Sequence, residues 1–301
     1  MSAKWIGVFP AITTKFKADF SLDLIAIEKH CQAMLEAGVH GIIVTGSLGE
    51  NGVLSFEEKQ EVLKVAVAAS KGKVPVLAGV AETTTATACR FVEKGAAYGA
   101  DGFMLLPPMQ YPSDRRETIQ HLRAVAAASP KPIMLYNNPV SYRVELTPEM
   151  FAELANEPKF VAIKESSDNV RRITDVYNAV GERYQIFTGV DDLALESLLL
   201  GAVGWVAGLV CAFPRETVVL YHLAKAGRIE EARALYRWFM PLLHLDVSTK
   251  LVQNIKLAEA MAGLGNENVR PPRLPLAGEE RAHVERIIAR ALATRPELPS
   301  V

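Results

Sequence analysis

The feature that most constrains the fold is a series of short apolar runs rich in valine, isoleucine and leucine. Each run is continuous rather than alternating, as expected of parallel strands that are buried on both faces. Eight such runs follow one another, at residues 7–14, 41–47, 74–80, 102–108, 132–138, 160–166, 184–190 and 204–210. This repetition predicts a sheet of eight parallel strands.

Helical patterns lie between the apolar runs. The pattern after the first run ends at Gly38, and the pattern after the second begins at Ser55, has acidic residues in its first turn, and ends at Gly72. Eight strand-helix units without a Pro/Ser-rich linker predict an α/β fold of the (β/α)8 TIM barrel type. The rival is an open doubly wound sheet, which usually has a Gly-rich phosphate turn after its first strand. Residues 8–16 contain no such turn.

Helical patterns alone follow the eighth run. They occupy residues 216–227, 229–245, 251–263 and 278–293. The sequence therefore predicts a barrel of residues 1–212 and a C-terminal helical extension of residues 213–301. The extension is expected to cover the side of the barrel or to form a subunit interface.

Composition excludes several classes of partner. The formal net charge is -1 and the basic residues are scattered, which argues against nucleic acid and anionic membranes. Cys31, Cys89 and Cys211 lie far apart, and the six histidines lack HExxH or H-x-H spacing, so we expect neither disulfides nor a metal. No secretory signal or membrane span is visible. We expect a cytoplasmic protein.

The sixth run carries a lysine where a buried strand should carry an apolar side chain. Lys164 and Glu165 interrupt this run. A desolvated lysine has a lowered pKa and becomes an amine nucleophile. The alternatives are that the Lys164 head group reaches water at the end of the strand, or that Glu165 is a counter-ion that keeps it charged.

Other strand ends also deliver polar groups to the face where a barrel has its active site. Tyr136 lies near the end of the fifth run, next in order to the run that carries Lys164, and a phenol next to an amine suits proton transfer at a carbonyl. The turn of residues 46–50 offers backbone N–H groups and the Ser47 hydroxyl to a carboxylate. Each residue taken alone also has a structural explanation. Tyr136 could be a packed ring, the two glycines could form a tight turn, and Glu50 could cap or pair locally.

In combination these segments resemble a known family. G-S-L-G-E at residues 46–50, Y-N-N-P at 136–139 and I-K-E at 163–165 are similar to motifs of the dihydrodipicolinate synthase / N-acetylneuraminate lyase family of Schiff-base lyases and aldolases. The similarity runs from the N-terminal segment to the region near Arg270. It implies a (β/α)8 barrel with a helical extension and a homotetramer built as a dimer of dimers.

The resemblance also implies roles for individual residues. Lys164 would form an imine with a 2-oxo acid such as pyruvate, Tyr136 would be the general acid and base, and residues 46–49 would hold the substrate carboxylate. No metal or organic cofactor is then required, because the protonated imine is itself the electron sink. The substrate-binding candidates are Gly46, Ser47, Leu48, Gly49, Gln110, Tyr111, Asn138, Ser141 and Val206.

Three positions differ from the lysine-biosynthetic synthase of that family. Leu48 replaces a threonine, Ser141 replaces an arginine that holds a second carboxylate, and Gln110 aligns with a relay tyrosine, with Tyr111 one residue later. Residues 140–143 instead resemble catabolic members, namely deaminases of 4-hydroxy-pyrroline-2-carboxylate and dehydratases of 2-oxo-3-deoxy sugar acids. Synthase-like condensation with pyruvate is the alternative, and Arg143 and Tyr111 would then substitute for the missing groups.

Two hypotheses from other classes remain open. The altered relay allows a non-catalytic barrel that binds a small 2-oxo acid, and the C-terminal helices allow a protein whose main role is to bind a partner. Asp191 and Asp192, after the seventh run, are candidate contacts for substrate hydroxyls.

Overall fold

The computed structural model describes residues 4–301 and contains, within that range, eight β-strands. Each strand lies inside one of the eight apolar runs, so the predicted strands are confirmed. The strands are β1 (Gly7–Pro10), β2 (Ile42–Val44), β3 (Val76–Val80), β4 (Gly102–Leu105), β5 (Ile133–Asn137), β6 (Phe160–Glu165), β7 (Gln185–Thr188) and β8 (Gly204–Ala207).

The α-helices of the described range alternate with the strands and then continue alone. Those between or after strands are α1 (Leu24–Glu36), α2 (Phe56–Ser70), α3 (Thr85–Ala97), α4 (Arg115–Ala128), α5 (Pro139–Tyr142), α6 (Pro148–Leu154), α7 (Arg171–Val180), α8 (Ala194–Leu199) and α9 (Pro214–Lys225). The remaining three are α10 (Ile229–Leu243), α11 (Leu251–Met261) and α12 (Gly278–Ala293).

Helix ends follow the predicted signals. Asp23 accepts a hydrogen bond from Ala26 N and begins α1. Ser55 and Glu58 form a capping box at the start of α2, which satisfies N–H groups that a helix start leaves without partners. Local sequence is sufficient to set these ends.

The strands form one parallel sheet that closes on itself. Its order is β1-β8-β7-β6-β5-β4-β3-β2, and a parallel bridge between Ala11 and Ile43 joins the two outer strands. This order and closure identify a (β/α)8 barrel and exclude the open doubly wound sheet. The barrel places the carboxyl ends of all eight strands around one opening.

Apolar side chains fill the barrel below that opening. Phe9 and Phe187 pack edge to face with ring centroids 5.1 Å apart, and both are fully buried. Met104, Met134 and Val206 belong to the same interior cluster. The barrel is therefore a packed core rather than a pore, and only its mouth is free to hold a ligand.

The C-terminal helices are tied to the barrel by buried ion pairs. Lys256 of α11 donates to Glu50, which follows β2, at 2.5 Å, and Glu259 of α11 pairs with Lys15, which follows β1. The helix α9 follows β8 as the eighth helix of the barrel, with the Tyr221 hydroxyl donating to Val203 O at 3.0 Å. The division of the chain at residues 212 and 213 stays a prediction.

No helix within residues 4–301 is long and apolar enough to cross a membrane. Cys31, Cys89 and Cys211 are free thiols.

Candidate active site

A cavity of about 460 Å³ opens at the carboxyl ends of the strands. The loops after β2, β5, β6, β7 and β8 contribute to its wall, and so does the segment of residues 246–249 between α10 and α11. Lys164 and Tyr136 both line it. Two residues predicted from separate strands therefore meet in one pocket.

Lys164 and Tyr136 lie side by side because β5 and β6 are neighbours. The register pairs Tyr136 directly with Lys164, and the Lys164 Nζ lies 4.1 Å from the centroid of the Tyr136 ring. Both side chains are buried, with 7% of Lys164 and 5% of Tyr136 exposed. Burial lowers the pKa of Lys164 and raises the pKa of Tyr136, so the uncharged amine and the uncharged phenol are favoured together.

Lys164 differs from the other buried lysines of residues 4–301. Lys15, Lys59 and Lys256 each pair with a glutamate, at Glu259, Glu82 and Glu50. Within the same range Lys164 forms no ion pair, although only 7% of it is exposed. A buried amine without a carboxylate partner destabilises the fold, so its retention here points to chemistry rather than packing. Only 7% of Lys164 is exposed, so its side chain does not extend into bulk solvent but lines the cavity.

Glu165 is not the counter-ion of Lys164. Successive side chains of a strand point to opposite faces, so Glu165 faces the helices while Lys164 faces the barrel. The Glu165 carboxylate accepts hydrogen bonds from Asn137 Nδ2 at 2.9 Å and from Ser167 N at 2.7 Å. Its role is to join the ends of β5 and β6.

A glycine makes room for the lysine side chain. Gly189 follows β7, and a Cβ atom added there would lie 2.5 Å from Lys164 Cε and 2.2 Å from Ser166 Oγ. Any larger residue would push the amine out of its position. The glycine of the TGVDD segment is thus a steric requirement of the site.

The hydroxyl of Ser47 is connected to the pair through Tyr142. Tyr142 follows β5 in α5; its hydroxyl contacts Ser47 Oγ, and its ring packs edge to face on Tyr136 with centroids 5.8 Å apart. Burial raises the pKa of Tyr142, which keeps its proton available for hydrogen bonding. Sequence reasoning missed Tyr142, because its place beside Ser47 depends on how the loop after β5 folds back.

The turn after β2 presents unused backbone donors to the cavity. Ser47 and Leu48 line the cavity, and no hydrogen bond within residues 4–301 uses the N–H of either residue. Glu50 is held by Lys256, 206 positions away, so it is not a local cap. The turn is therefore anchored to α11, and the backbone N–H groups of Ser47 and Leu48 have no acceptor among the described residues.

The predicted substrate-binding residues fall into two groups. Those that line the cavity are Ser47, Leu48, Asn138, Ser141 and Val206. Gly46 and Gly49 are buried within the turn behind the lining, while Gln110 and Tyr111 are exposed on the loop after β4 and do not line it. Arg143 is exposed and does not line the cavity either, whereas Arg273 does.

Two aspartates near the mouth have different tasks. Asp191 accepts hydrogen bonds from Trp205 Nε1 at 2.9 Å and from Leu209 N at 2.8 Å, and therefore supports the end of β8. Asp246 lines the cavity and comes from the 3₁₀ turn His244–Val247 after α10. Burial and the nearby Asp191 raise the pKa of Asp246 well above its usual range. No motif near Asp246 signals this placement.

One cluster within residues 4–301 has the composition of a metal site. His30, Cys211 and Glu259 bring their ligand atoms within 4.8 Å of one another. The Glu259 carboxylate, however, is already bound by the Lys15 ammonium and by the Thr13 hydroxyl. Burial also raises the pKa of Cys211 well above its usual range, which favours the thiol over the thiolate that metals bind. We assign no metal to this cluster.

The fold and the site place this protein in the class of (β/α)8-barrel proteins with a lysine at the mouth of the barrel. The buried lysine lies beside a tyrosine and near a turn in which the N–H groups of Ser47 and Leu48 have no acceptor within residues 4–301. Residues 4–291 match the dihydrodipicolinate synthetase family, and the chain belongs to that family. It is an enzyme of the dihydrodipicolinate synthase family, as the sequence motifs predict.

Relatives and solved structures agree with this assignment. The chain is 32% identical over 285 residues to the 4-hydroxy-tetrahydrodipicolinate synthase of Methanothrix thermoacetophila, covering 94% of this chain and 96% of that protein. The structure of the synthase from Methylacidiphilum fumariolicum superimposes with a TM-score of 0.92 at 29% identity, covering 96% and 97% of the two chains. The structure of a prophage protein of E. coli K12, solved in complex with pyruvate, superimposes with a TM-score of 0.90 at 26% identity. The match covers 96% of this chain and 99% of that chain.

Proposed function

We propose that this protein is a class I lyase that acts on a 2-oxo acid or a cyclic imino acid through an imine on Lys164. The observation that carries the proposal is that Lys164, alone among the four buried lysines of residues 4–301, has no carboxylate partner and faces a cavity. Its lowered pKa increases the fraction of uncharged amine that can attack a carbonyl.

The neighbouring groups fit the steps that follow. The free N–H groups of Ser47 and Leu48 would hold the substrate carboxylate and place C2 near Lys164 Nζ. With a 2-oxo acid, Lys164 adds to C2 and the hydroxyl of the adduct leaves as water with the proton of Tyr136. With a cyclic imino acid, the ring nitrogen leaves C2 instead, takes the same proton, and stays on the opened chain as an amine. The resulting phenolate then accepts a proton from C3, giving an enamine. Tyr142 and Ser47 continue the hydrogen-bonded chain from Tyr136, so the relay closes within one subunit.

The substrate we favour is a catabolic one that carries a hydroxyl on C4. 4-Hydroxy-pyrroline-2-carboxylate and the 2-oxo-3-deoxy sugar acids meet this description. The wall of the cavity supports this choice, because Ser141, Asp246 and Ser248 offer hydroxyl-binding groups. An arginine at position 141 would instead favour a second carboxylate.

Condensation of pyruvate with an aldehyde is the second candidate. The observation that favours it is that the relatives are 4-hydroxy-tetrahydrodipicolinate synthases. Two of them are 32% identical to this chain over nearly its whole length. Arg273, at the mouth of the cavity, is the cation that a second carboxylate would meet.

Borohydride trapping with pyruvate, followed by peptide mass mapping, tests the imine. We expect an adduct on Lys164 in the wild type and in the control variant Lys29→Ala, which removes an exposed lysine of α1. Lys164→Ala should trap nothing while its thermal unfolding stays cooperative. Folded wild-type protein that traps no 2-oxo acid would instead support a non-catalytic binding barrel.

The two substrate candidates are separated by their products. Release of water from a C4-hydroxylated substrate supports the catabolic activity, and formation of 4-hydroxy-tetrahydrodipicolinate supports the condensation.

A further inference from the structure

The C-terminal extension contributes a carboxyl group to the cavity that the imine chemistry above does not use. Asp246 belongs to the segment between α10 and α11, outside the eight strand-helix units, yet it lines the same cavity as Lys164 and Tyr136. Residues 247–249 and Arg273 complete this side of the cavity. Atoms of a substrate anchored at C1 and C2 would extend towards this outer wall.

The position of Asp246 is set by a close approach to the barrel. Asp246 lies against Gly208, directly after β8, and a Cβ atom added at Gly208 would be 2.2 Å from Asp246 Oδ1. The glycine therefore allows a carboxyl group from the extension to enter the barrel mouth. Unlike Asp191, whose oxygens accept three backbone or indole N–H groups, Asp246 accepts no hydrogen bond from residues 4–301.

We propose that Asp246 is the acid that protonates the hydroxyl leaving C4 of the substrate. This role rests on the proposed imine chemistry at Lys164. After Tyr136 has removed the C3 proton, the enamine electrons form the C3–C4 double bond, the C4–O bond breaks, and the oxygen leaves as water with the proton of Asp246. The product imine is then conjugated, and Asp246 is a carboxylate.

Hydrolysis closes the cycle. A water molecule adds to C2 of the conjugated imine, Lys164 is released as the amine, and the proton set free in this step returns to Asp246. For a 2-oxo-3-deoxy sugar acid the overall reaction is loss of one water, with no oxidant or further reactant. For 4-hydroxy-pyrroline-2-carboxylate the ring nitrogen, freed as an amine when Lys164 displaces it from C2, is afterwards lost by hydrolysis as ammonia, so the net reaction consumes one water.

Burial, together with the carboxylates around it, raises the pKa of Asp246 and favours its acid form. The groups that act on it electrostatically from the packed elements are Lys164 on β6 and Asp191 and Asp192 after β7. Asp246 in turn raises the pKa of Tyr136 on β5. Two of the charged neighbours are carboxylates, which raise the pKa of Asp246, and one is the amine, which lowers it. On its own segment His244 pairs with Asp192 at 2.8 Å. A neutral carboxylic acid next to a leaving hydroxyl is the state that general-acid catalysis needs.

The test compares Asp246→Asn, which keeps the size of the side chain, with Asp175→Asn, which removes an exposed carboxylate of α7. Three assays are run on each full-length protein: borohydride trapping with pyruvate, exchange of the pyruvate C3 protons with deuterated water, and release of water from 4-hydroxy-pyrroline-2-carboxylate and 2-oxo-3-deoxygluconate. Asp246→Asn should still form the pyruvate adduct on Lys164 and still exchange the C3 protons, whereas water release should fall by roughly 100-fold. Asp175→Asn should behave as the wild type in all three.

The pH profile separates acid catalysis from a structural role. In the wild type, the rate of water release should fall as the pH rises through the pKa of Asp246. The rate that remains in Asp246→Asn should not show this fall. Wild-type water release that Asp246→Asn retains would overturn the role of Asp246, as would a wild type that traps pyruvate but dehydrates neither substrate. A wild type that traps no pyruvate would overturn the imine chemistry itself.

Discussion

Replacing Lys164 by methionine should stabilise the protein while it abolishes activity. Methionine has a similar length and fills the same space, but it has no amine to be held out of water. Lys164 is 7% exposed and has no ion-pair partner within residues 4–301. Burying a polar group without compensation costs about 1–3 kcal/mol in protein mutational data, so we expect a gain of that order in the free energy of unfolding.

The matched control is the same substitution at a lysine that does have a partner. Lys256→Met would leave the buried Glu50 with only the more distant Arg273, 3.8 Å away, as a cation within residues 4–301, and would also remove the bond to Asn268 O, which is 2.6 Å long. Breaking a buried pair in this way destabilises by about 3–5 kcal/mol. The two variants should therefore move the free energy of unfolding in opposite directions, as measured by chemical denaturation.

The difference in the free energy of unfolding between Lys164→Met and the wild type should also depend on pH. Burial lowers the pKa of Lys164 in the folded state, so the unfolded chain binds that proton more tightly and wild-type stability rises with pH. The gain in the free energy of unfolding from Lys164→Met should be largest below the pKa of Lys164 in the folded protein. It should vanish above the ordinary lysine pKa of about 10.4. If Lys164→Met destabilised the protein as much as Lys256→Met, the interpretation of Lys164 as an unpaired functional amine would be refuted.

Three further outcomes follow from the site and the family. Gly189→Ala places a Cβ atom 2.5 Å from Lys164 Cε, so borohydride trapping should slow by at least about tenfold, whereas an unchanged rate would mean that the lysine can move aside. Tyr142→Phe removes the hydroxyl that contacts Ser47, and C3 proton exchange of pyruvate should slow by roughly 100-fold while the adduct on Lys164 still forms. Equal exchange rates in that variant would exclude Tyr142 from the relay. Size-exclusion chromatography with light scattering should show a homotetramer, and a monomer would leave the extension without the predicted role in self-assembly.

The sequence alone was sufficient for the barrel and for its two central residues. Continuous apolar runs and capped helical patterns report buried parallel strands and their crossover helices, because both signals are local in the chain. Lys164 and Tyr136 were predictable because each lies near the carboxyl end of such a run, and parallel strands deliver their carboxyl ends to one opening. The glycines and Ser47 of the turn after β2 were visible for the same reason.

The tertiary structure decided what surrounds these residues. That Lys164 has no partner, whereas Lys256 pairs with Glu50 from 206 positions away, depends on contacts that no local pattern records. The meeting of Tyr142 with Ser47, and the exposure of Gln110 and Tyr111 outside the cavity, depend on loop conformation. Asp246 reaches the cavity only because the extension folds over Gly208. Periodicity specifies which face of an element is buried, but the groups that meet at the mouth of a barrel are set by the packing of distant segments.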